Sequence, residues 1–312
     1  MPLGIGAGGI VGVAFETTPG TYVAPTKFFP IRSEGLAWKQ STVWRRVIRG
    51  TVDVLGGVAG NGEFTGDIDM EFLEDVHMYF AYCSRCAITK TGTTNYTYDI
   101  VGAHSGAQAT PKTMSITIVR NGIVFGYTNC VVGAQEFSID NGLLVCKYSI
   151  FGSDEAVQSS PTPTYTTTAP FGAGMYDVQI PTASTVLDAD GFSLTIDDSG
   201  ENQYRLRNTG RGPQFAKFGE RNVSLKLERD FQNRTEYDAF KALTAQSITI
   251  VASKGANNSV TFLLPVAIKD TYEVALSGVG DLVRASVDYF GTHDASTGAS
   301  YKLTVKTQEN IT

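Results

Sequence analysis

The feature that most constrains the fold is an internal repeat. Ser115-Ile116-Thr117-Ile118-Val119 recurs unchanged as Ser247-Ile248-Thr249-Ile250-Val251. Each copy is followed by a short polar turn with Gly and then by a second apolar strand, Ile123 to Phe125 in one case and Val260 to Leu264 in the other. Downstream, Phe137-Ser138 aligns with Leu276-Ser277, Leu143-Leu144 with Leu282-Val283, and Ile150-Phe151-Gly152 with Tyr289-Phe290-Gly291. One shared five-residue strand would prove little. A run of matches in the same order points to duplication, and such a repeat is to be found before any fold is assigned.

Upstream, Asp67-Ile68-Asp69-Met70-Glu71-Phe72 alternates polar and apolar, as does Val223-Ser224-Leu225-Lys226-Leu227-Glu228. Alternation of this kind predicts half-buried strands. A helix-like stretch follows each one, around Leu73 to Phe80 and Phe231 to Leu243. Before each lies a strand start (Gly35-Leu36-Ala37-Trp38; Gly191-Phe192-Ser193-Leu194) and a long segment rich in Arg and Gly. Each half therefore reads strand, long loop, strand, helix, strand, turn, strand, turn, strand.

This order predicts a mainly β chain of two tandem β-sandwich or half-barrel units, each with one short α-helix. The expected divisions are an N-terminal arm over 1–34, a first unit over 35–155 and a second over 190–295. A hairpin or flap at about 87–112 interrupts the first unit, and a C-terminal strand or arm covers 296–312. Between the units, 156–189 contains a Pro/Thr-rich stretch expected to be extended rather than packed.

The 312 residues, 42% hydrophobic and 18% charged, suffice for two packed cores. The net charge of −6 makes the chain a poor grip for nucleic acid. Residues 1–155 hold 11 basic and 14 acidic side chains and residues 156–312 hold 14 and 17, so each half nets −3 and neither is a charged tail. No apolar run is long enough for a spanning helix. The apolar N-terminus lacks the basic start of a secretory signal, so synthesis in a cytoplasm without processing is expected.

Chemical motifs are weak. Gly4-Ile5-Gly6-Ala7-Gly8-Gly9 matches a dinucleotide fingerprint but has no strand before it and no helix after it. It reads better as a flexible arm whose Ile10, Val11, Val13 and Phe15 form a strand on a partner surface. Cys83-Ser-Arg-Cys86 is a CxxC, yet Cys130 and Cys146 are not spaced as a second zinc pair, so four reduced, apolar thiols are expected. His77, His104 and His293 fall in no catalytic motif. No catalytic, cofactor or metal site is expected.

Asp67, Asp69 and Glu71 fall on one strand face, successive acids about 7 Å apart. Ser224, Lys226 and Glu228 stand there in the second half. Polarity with changing charge suits a wet sheet face better than a glycosidase pair or a calcium site. The Arg clusters Arg45, Arg46 and Arg49 beside Trp44, and Arg205, Arg207 and Arg211 beside Tyr204, mix bases with aromatics as protein interfaces do.

The Gly-rich arm leading into Val13-Ala14-Phe15-Glu16-Thr17-Thr18-Pro19-Gly20-Thr21 is similar to the opening of tail tube (major tail) proteins of long-tailed bacteriophages. The order of elements in both halves resembles that family's β-sandwich. The resemblance implies a structural virion protein of the phage tail, made in the host cytoplasm, that stacks as rings into a hollow tube for DNA. Inner strands of neighbouring subunits would join into one luminal β-barrel. DNA would pass without specific binding, and tape-measure, tail-terminator and baseplate or tip proteins would be partners, with no membrane. Carried over, the long loops are 39–62 and 198–219. The contacts between subunits and rings would be Phe15, Tyr22, Phe28, Trp44, Arg45, Arg46, Arg49, Tyr204, Arg205, Arg207 and Arg211. The lumen-facing residues would be Asp67, Asp69, Glu71, Ser224, Lys226 and Glu228. Many family members carry one tube domain and form hexamers. A duplicated chain would close as a trimer with pseudo-sixfold symmetry in preference to a hexamer. The alternatives are a carbohydrate-binding or adhesin-type β-sandwich and an outer-membrane barrel, which would require a signal and lipid-facing strands.

Overall fold

The computed structural model describes residues 8–50, 52–103, 111–181, 184, 189–205, 212–231, 234–276, 278–279 and 281–311. The first half runs β1 (Ile10–Phe15), β2 (Lys27–Phe28), β3 (Ser33–Glu34), β4 (Ala37–Trp44), β5 (Gly57–Glu71), α1 (Glu74–Tyr82), β6 (Cys86–Thr91), β7 (Tyr96–Gly102), β8 (Met114–Arg120), β9 (Ile123–Asp140), β10 (Leu143–Gly152) and β11 (Asp154–Val157). The second runs β12 (Tyr176–Gln179), β13 (Ala189–Asp197), β14 (Glu201–Gln203), β15 (Phe215–Lys217), β16 (Asn222–Asp230), α2 (Thr235–Lys241), β17 (Gln246–Gly255), β18 (Asn258–Ala275), β19 (Arg284–Gly291) and β20 (Lys302–Thr307). Among the described residues the chain is mainly β with two helices, all strand pairs between these elements are antiparallel, and the sheets do not close into a barrel.

The alternating segments become strands because one face of each is buried. Ile68 and Met70 on β5 are buried, as are Val223, Leu225 and Leu227 on β16, while the residues between them are not. Two hairpins turn on Asn-Gly. Asn121-Gly122 joins β8 to β9 and Asn141-Gly142 joins β9 to β10, all four residues with positive φ, the conformation that suits the twist of a tight hairpin.

The pairing orders correspond. In the first half β4 pairs β5, β5 pairs β10, β10 pairs β9 and β9 pairs β8. In the second half β13 pairs β16, β16 pairs β19, β19 pairs β18 and β18 pairs β17. The long strands β9 and β18 each have 18 residues. Against β10 and β19 respectively, each breaks register once, at Gly133 and at Asp270. The register also corrects part of the sequence alignment. Phe137 faces Cys146 as Val274 faces Ala285, so Phe137 corresponds to Val274 and not to Leu276.

Strand β13 pairs with the distal half of β9, Thr195 opposite Glu136, and joins the halves. A long sheet results, in the order β4, β5, β10, β9, β13, β16, β19, β18. The 87–112 excursion contains the hairpin β6–β7, whose second strand β7 pairs with C-terminal β20. The N-terminal arm folds back as β1 on β8, so its partner surface is its own chain. The Pro/Thr segment is extended but also packed. Thr166 Oγ1 donates to Asp75 at 2.6 Å and Phe171 is fully buried. Its backbone groups are met from several sides: Thr166 N–H donates to the Phe28 carbonyl, and the Phe171 and Ala169 carbonyls accept from Leu144 and Lys254.

Candidate assembly surfaces

The face of the long sheet turned away from the core is mostly acidic, and the segment around β14 covers it only at the Glu63 end. Asp67, Asp69 and Glu71 stand on it in one row of β5, and Thr65 and Glu63 continue that row. Across the sheet it carries Glu136 on β9, Asp197 on β13, Glu228 on β16, Asp288 on β19 and Glu273 on β18. Basic residues are fewer. Lys147 pairs with Asp67 at 3.1 Å, and this carboxylate holds the ammonium above its ordinary pKa. Lys226 pairs with Glu228 at 3.4 Å. Ser149 Oγ donates to Asp67 at 2.6 Å and Thr271 Oγ1 to Asp288 at 2.6 Å.

Register refines the correspondence between halves. Asp67 faces Ser149, and Lys226 faces Asp288; Glu71 faces Val145, and Asp230 faces Arg284. The row Asp67, Asp69, Glu71 thus matches Lys226, Glu228, Asp230, with Ser224 matching Thr65. Sequence reasoning missed Glu136, Asp197, Glu273 and Asp288. The alternation Glu136-Phe137-Ser138 and Ser286-Val287-Asp288 was the available signal.

The second surface is the hairpin of β4 and β5. The 39–62 segment is largely two-stranded, paired out to Trp44 opposite Gly57. Its tip exposes Val43, Trp44 (59%), Val47, Ile48, Val52, Val54, Leu55 and Val58, with Arg45, Arg46 and Arg49 also exposed. Many apolar side chains exposed together on one hairpin mark an interaction site. The 198–219 segment holds the smaller hairpin β14–β15. There Tyr204 donates to Glu63 at 3.1 Å, and burial with the Glu63 carboxylate pushes its phenol up to about 12. Arg205 is exposed, and Arg207 and Arg211 lie outside the described residues.

Three aromatics expected at subunit contacts are engaged within the chain. Phe15 stacks on Tyr79 with centroids 4.9 Å apart and meets the edge of Tyr82. Tyr22 shares a 2.8 Å hydrogen bond with Thr117, and Phe28 is buried beside β1. Each finds apolar surface as soon as β1 docks on β8.

The cysteines and His77 belong to the core. Cys83, Cys86, Cys130 and Cys146 are free and buried, and burial pushes all four thiols up, Cys86 to about 12. His77 is buried in α1, its Nδ1 2.7 Å from the Tyr148 hydroxyl, and burial pushes it down to about 3. His104 and the stretch Gly4 to Ala7 lie outside the described residues, and His293 is exposed. Among the described residues no group of His, Cys, Asp and Glu is placed to hold a metal, and no helix is long and apolar enough to cross a membrane.

The family model for phage tail tube proteins matches residues 6–300, nearly the whole chain. The chain belongs to the phage tail tube protein family. The match spans both halves, the hairpin and the acidic sheet face in one stretch. No curated protein matches the sequence. Membership makes it a structural protein of the phage tail tube.

Proposed function

We propose that this chain is a duplicated tube protein that forms rings, and that the rings stack into the tail tube through which DNA reaches the host. The carrying observation is the long sheet. It runs through both halves, keeps one face wet and acidic, and has at each end a strand edge with no described partner, one side of β4 and one side of the distal half of β18. Such a sheet removes its edges by joining copies of itself. If six such units line the channel, three chains close the ring, in preference to six.

In this reading Asp67, Asp69, Glu71, Ser224, Lys226 and Glu228 face the lumen. The acidic wall repels the phosphate backbone, so DNA slides without adhering. The hairpin tip with Trp44, Arg45, Arg46 and Arg49 contacts the next ring, and Tyr204, Arg205, Arg207 and Arg211 serve the smaller second-half hairpin. Tape-measure, terminator and tip proteins meet the tube's interior and ends. The role is structural, not enzymatic.

Negative-stain microscopy of the purified chain tests the assembly, with rings or tubes expected without added ligand. A persistent monomer overturns it and favours the sugar-binding alternative. The lumen is tested by replacing Asp67, Asp69 and Glu71 together with Lys. Tubes should still form while DNA ejection slows. Unchanged ejection from virions carrying the triple variant places the acidic face elsewhere.

A further inference from the structure

We propose that Gly35–Lys39 of one copy pairs antiparallel with Thr271–Ala275 of the next, Ala37 opposite Glu273 and Lys39 opposite Thr271. This rests on the ring reading and specifies which edges meet and in which register.

The template is the junction already present inside the chain. The distal half of β9 has strands on both sides, so Glu136 lies between Lys147 of β10 and Thr195 of β13. The distal half of β18 has only one neighbour. Glu273 faces Ser286 of β19, and no described strand pairs with its other side. The two strands carry their bulges at matching places, so Glu273 stands where Glu136 stands.

The missing strand follows from the same correspondence. Thr195 pairs with Ser224 as Ala37 pairs with Thr65. Ser224 and Thr65 are equivalent because they face Phe290 and Phe151. What β13 is to β9, Gly35–Lys39 is therefore to β18. Gly35–Lys39 also has β5 on one side and no described strand on the other. Within one chain the two open edges sit at opposite ends of the long sheet. Only a second copy can bring them together.

The chemistry at the join agrees. Lys39 lies diagonal to Glu273 on the wet face, within reach for a long side chain and opposite in sign. Trp38 would lie opposite Tyr272 on the core face, an aromatic pair of the kind that stabilises adjacent strands. The β18 end also leaves apolar surface uncovered, with Val274 43% and Leu276 84% exposed. Phe137, the counterpart of Val274, is fully buried where the halves meet.

Cross-linking tests the register. In an Ala37→Cys/Glu273→Cys double variant the new thiols lie directly opposite across two copies, while the four native cysteines are buried and do not compete. Mild oxidation should convert most of the monomer band to a covalent ladder ending at the closed ring. Ala37→Cys/Ala275→Cys is the register control. Its thiols would sit diagonally, too far for an unstrained disulfide, and should leave the monomer band. Separately, Lys39→Glu should weaken assembly at least several-fold, and adding Glu273→Lys should restore it. The melting transition of each variant confirms that it folds. Normal rings with no ladder from the 37/273 pair, or a ladder from the control instead, overturn the register and leave the ring reading intact. A wild-type chain that forms no rings overturns both.

Discussion

Helices α1 and α2 occupy matching places in the two halves, yet one is core and the other is surface. In α1, Glu74, Asp75, Val76, His77, Met78, Phe80 and Ala81 are buried; α2 buries no residue. Around α1 the chain closes on itself. Phe80 stacks on Tyr148 with centroids 4.2 Å apart and meets Phe29 edge-on. Glu74 accepts from Lys254 at 2.7 Å and from Asn258 at 2.6 Å, both on the second half. Around α2 the packing is local, Phe240 stacking on Tyr272 at 6.2 Å. The difference teaches where the chain spends its contacts. The first helix locks two halves of one molecule. The second lies next to the open edge of β18, and in the ring reading its neighbour comes from another copy.

The largest effect should come from the aromatic at each helix. Phe80→Ala removes a fully buried ring and should destabilise the chain by about 3–5 kcal/mol. Phe240→Ala removes a partly buried ring and should cost about 1–2 kcal/mol in the free chain. Chemical denaturation of dilute protein measures both, and equal losses would break the contrast.

The clamp between halves comes next. Glu74→Ala leaves Lys254, 14% exposed at its side chain, without its carboxylate, and Asn258 without its acceptor. Breaking a buried pair in this way should cost about 3 kcal/mol. Lys254 keeps the Ala169 carbonyl and the Phe171 ring, with its ammonium 4.3 Å from the ring centroid, which holds the loss toward the low end. A loss below 1 kcal/mol in the same denaturation series would mean that the strand pairings β9–β13 and β7–β20 hold the halves together with little help from this clamp.

This asymmetry was only partly legible in the sequence. The β class, both helices and the order of strands were readable because alternation and the repeated Ser-Ile-Thr-Ile-Val strand are local signals. Burial of α1 was hinted at by Leu73, Val76, Tyr79 and Phe80 at helical spacing, and α2 matched that spacing only loosely. The acidic row on β5 was readable because its period is two. Its equivalents on β9 and β18 were not assigned, because each belongs to an 18-residue strand whose two halves have different neighbours. The two-residue slip in the alignment had the same origin. A shift of two keeps every side chain on its face, so polarity alone could not correct it. Strand partners depend on contacts far apart in sequence, and β20 on β7 or β13 on β9 had no local mark.

The smallest effect concerns the acid beside Glu74, and it is best seen by titration. Asp75 pairs with Lys27 at 2.7 Å and accepts from Thr166, joining the N-terminal arm to α1 and the Pro/Thr segment. Burial works to raise its pKa. The hydrogen bonds from Lys27 and Thr166 and the Lys27 charge outweigh burial and leave it below the ordinary value. A carboxyl depressed in the folded state favours folding above its unfolded pKa of about 3.9, and that share is lost as pH falls through the folded value. Lys27 is the other limb. Burial lowers its pKa, but Asp75 and Glu309 raise it above the ordinary lysine value. Its share is present below about pH 10.4 and is lost as pH rises through the folded value. Asp75→Asn should therefore cost stability at pH 6, and the gap from wild type should narrow as pH falls below about 4. A gap that stays constant down to pH 2.5 would assign the contribution of Asp75 to its neutral hydrogen bonds, leaving the Lys27 charge without a part in holding the arm on α1.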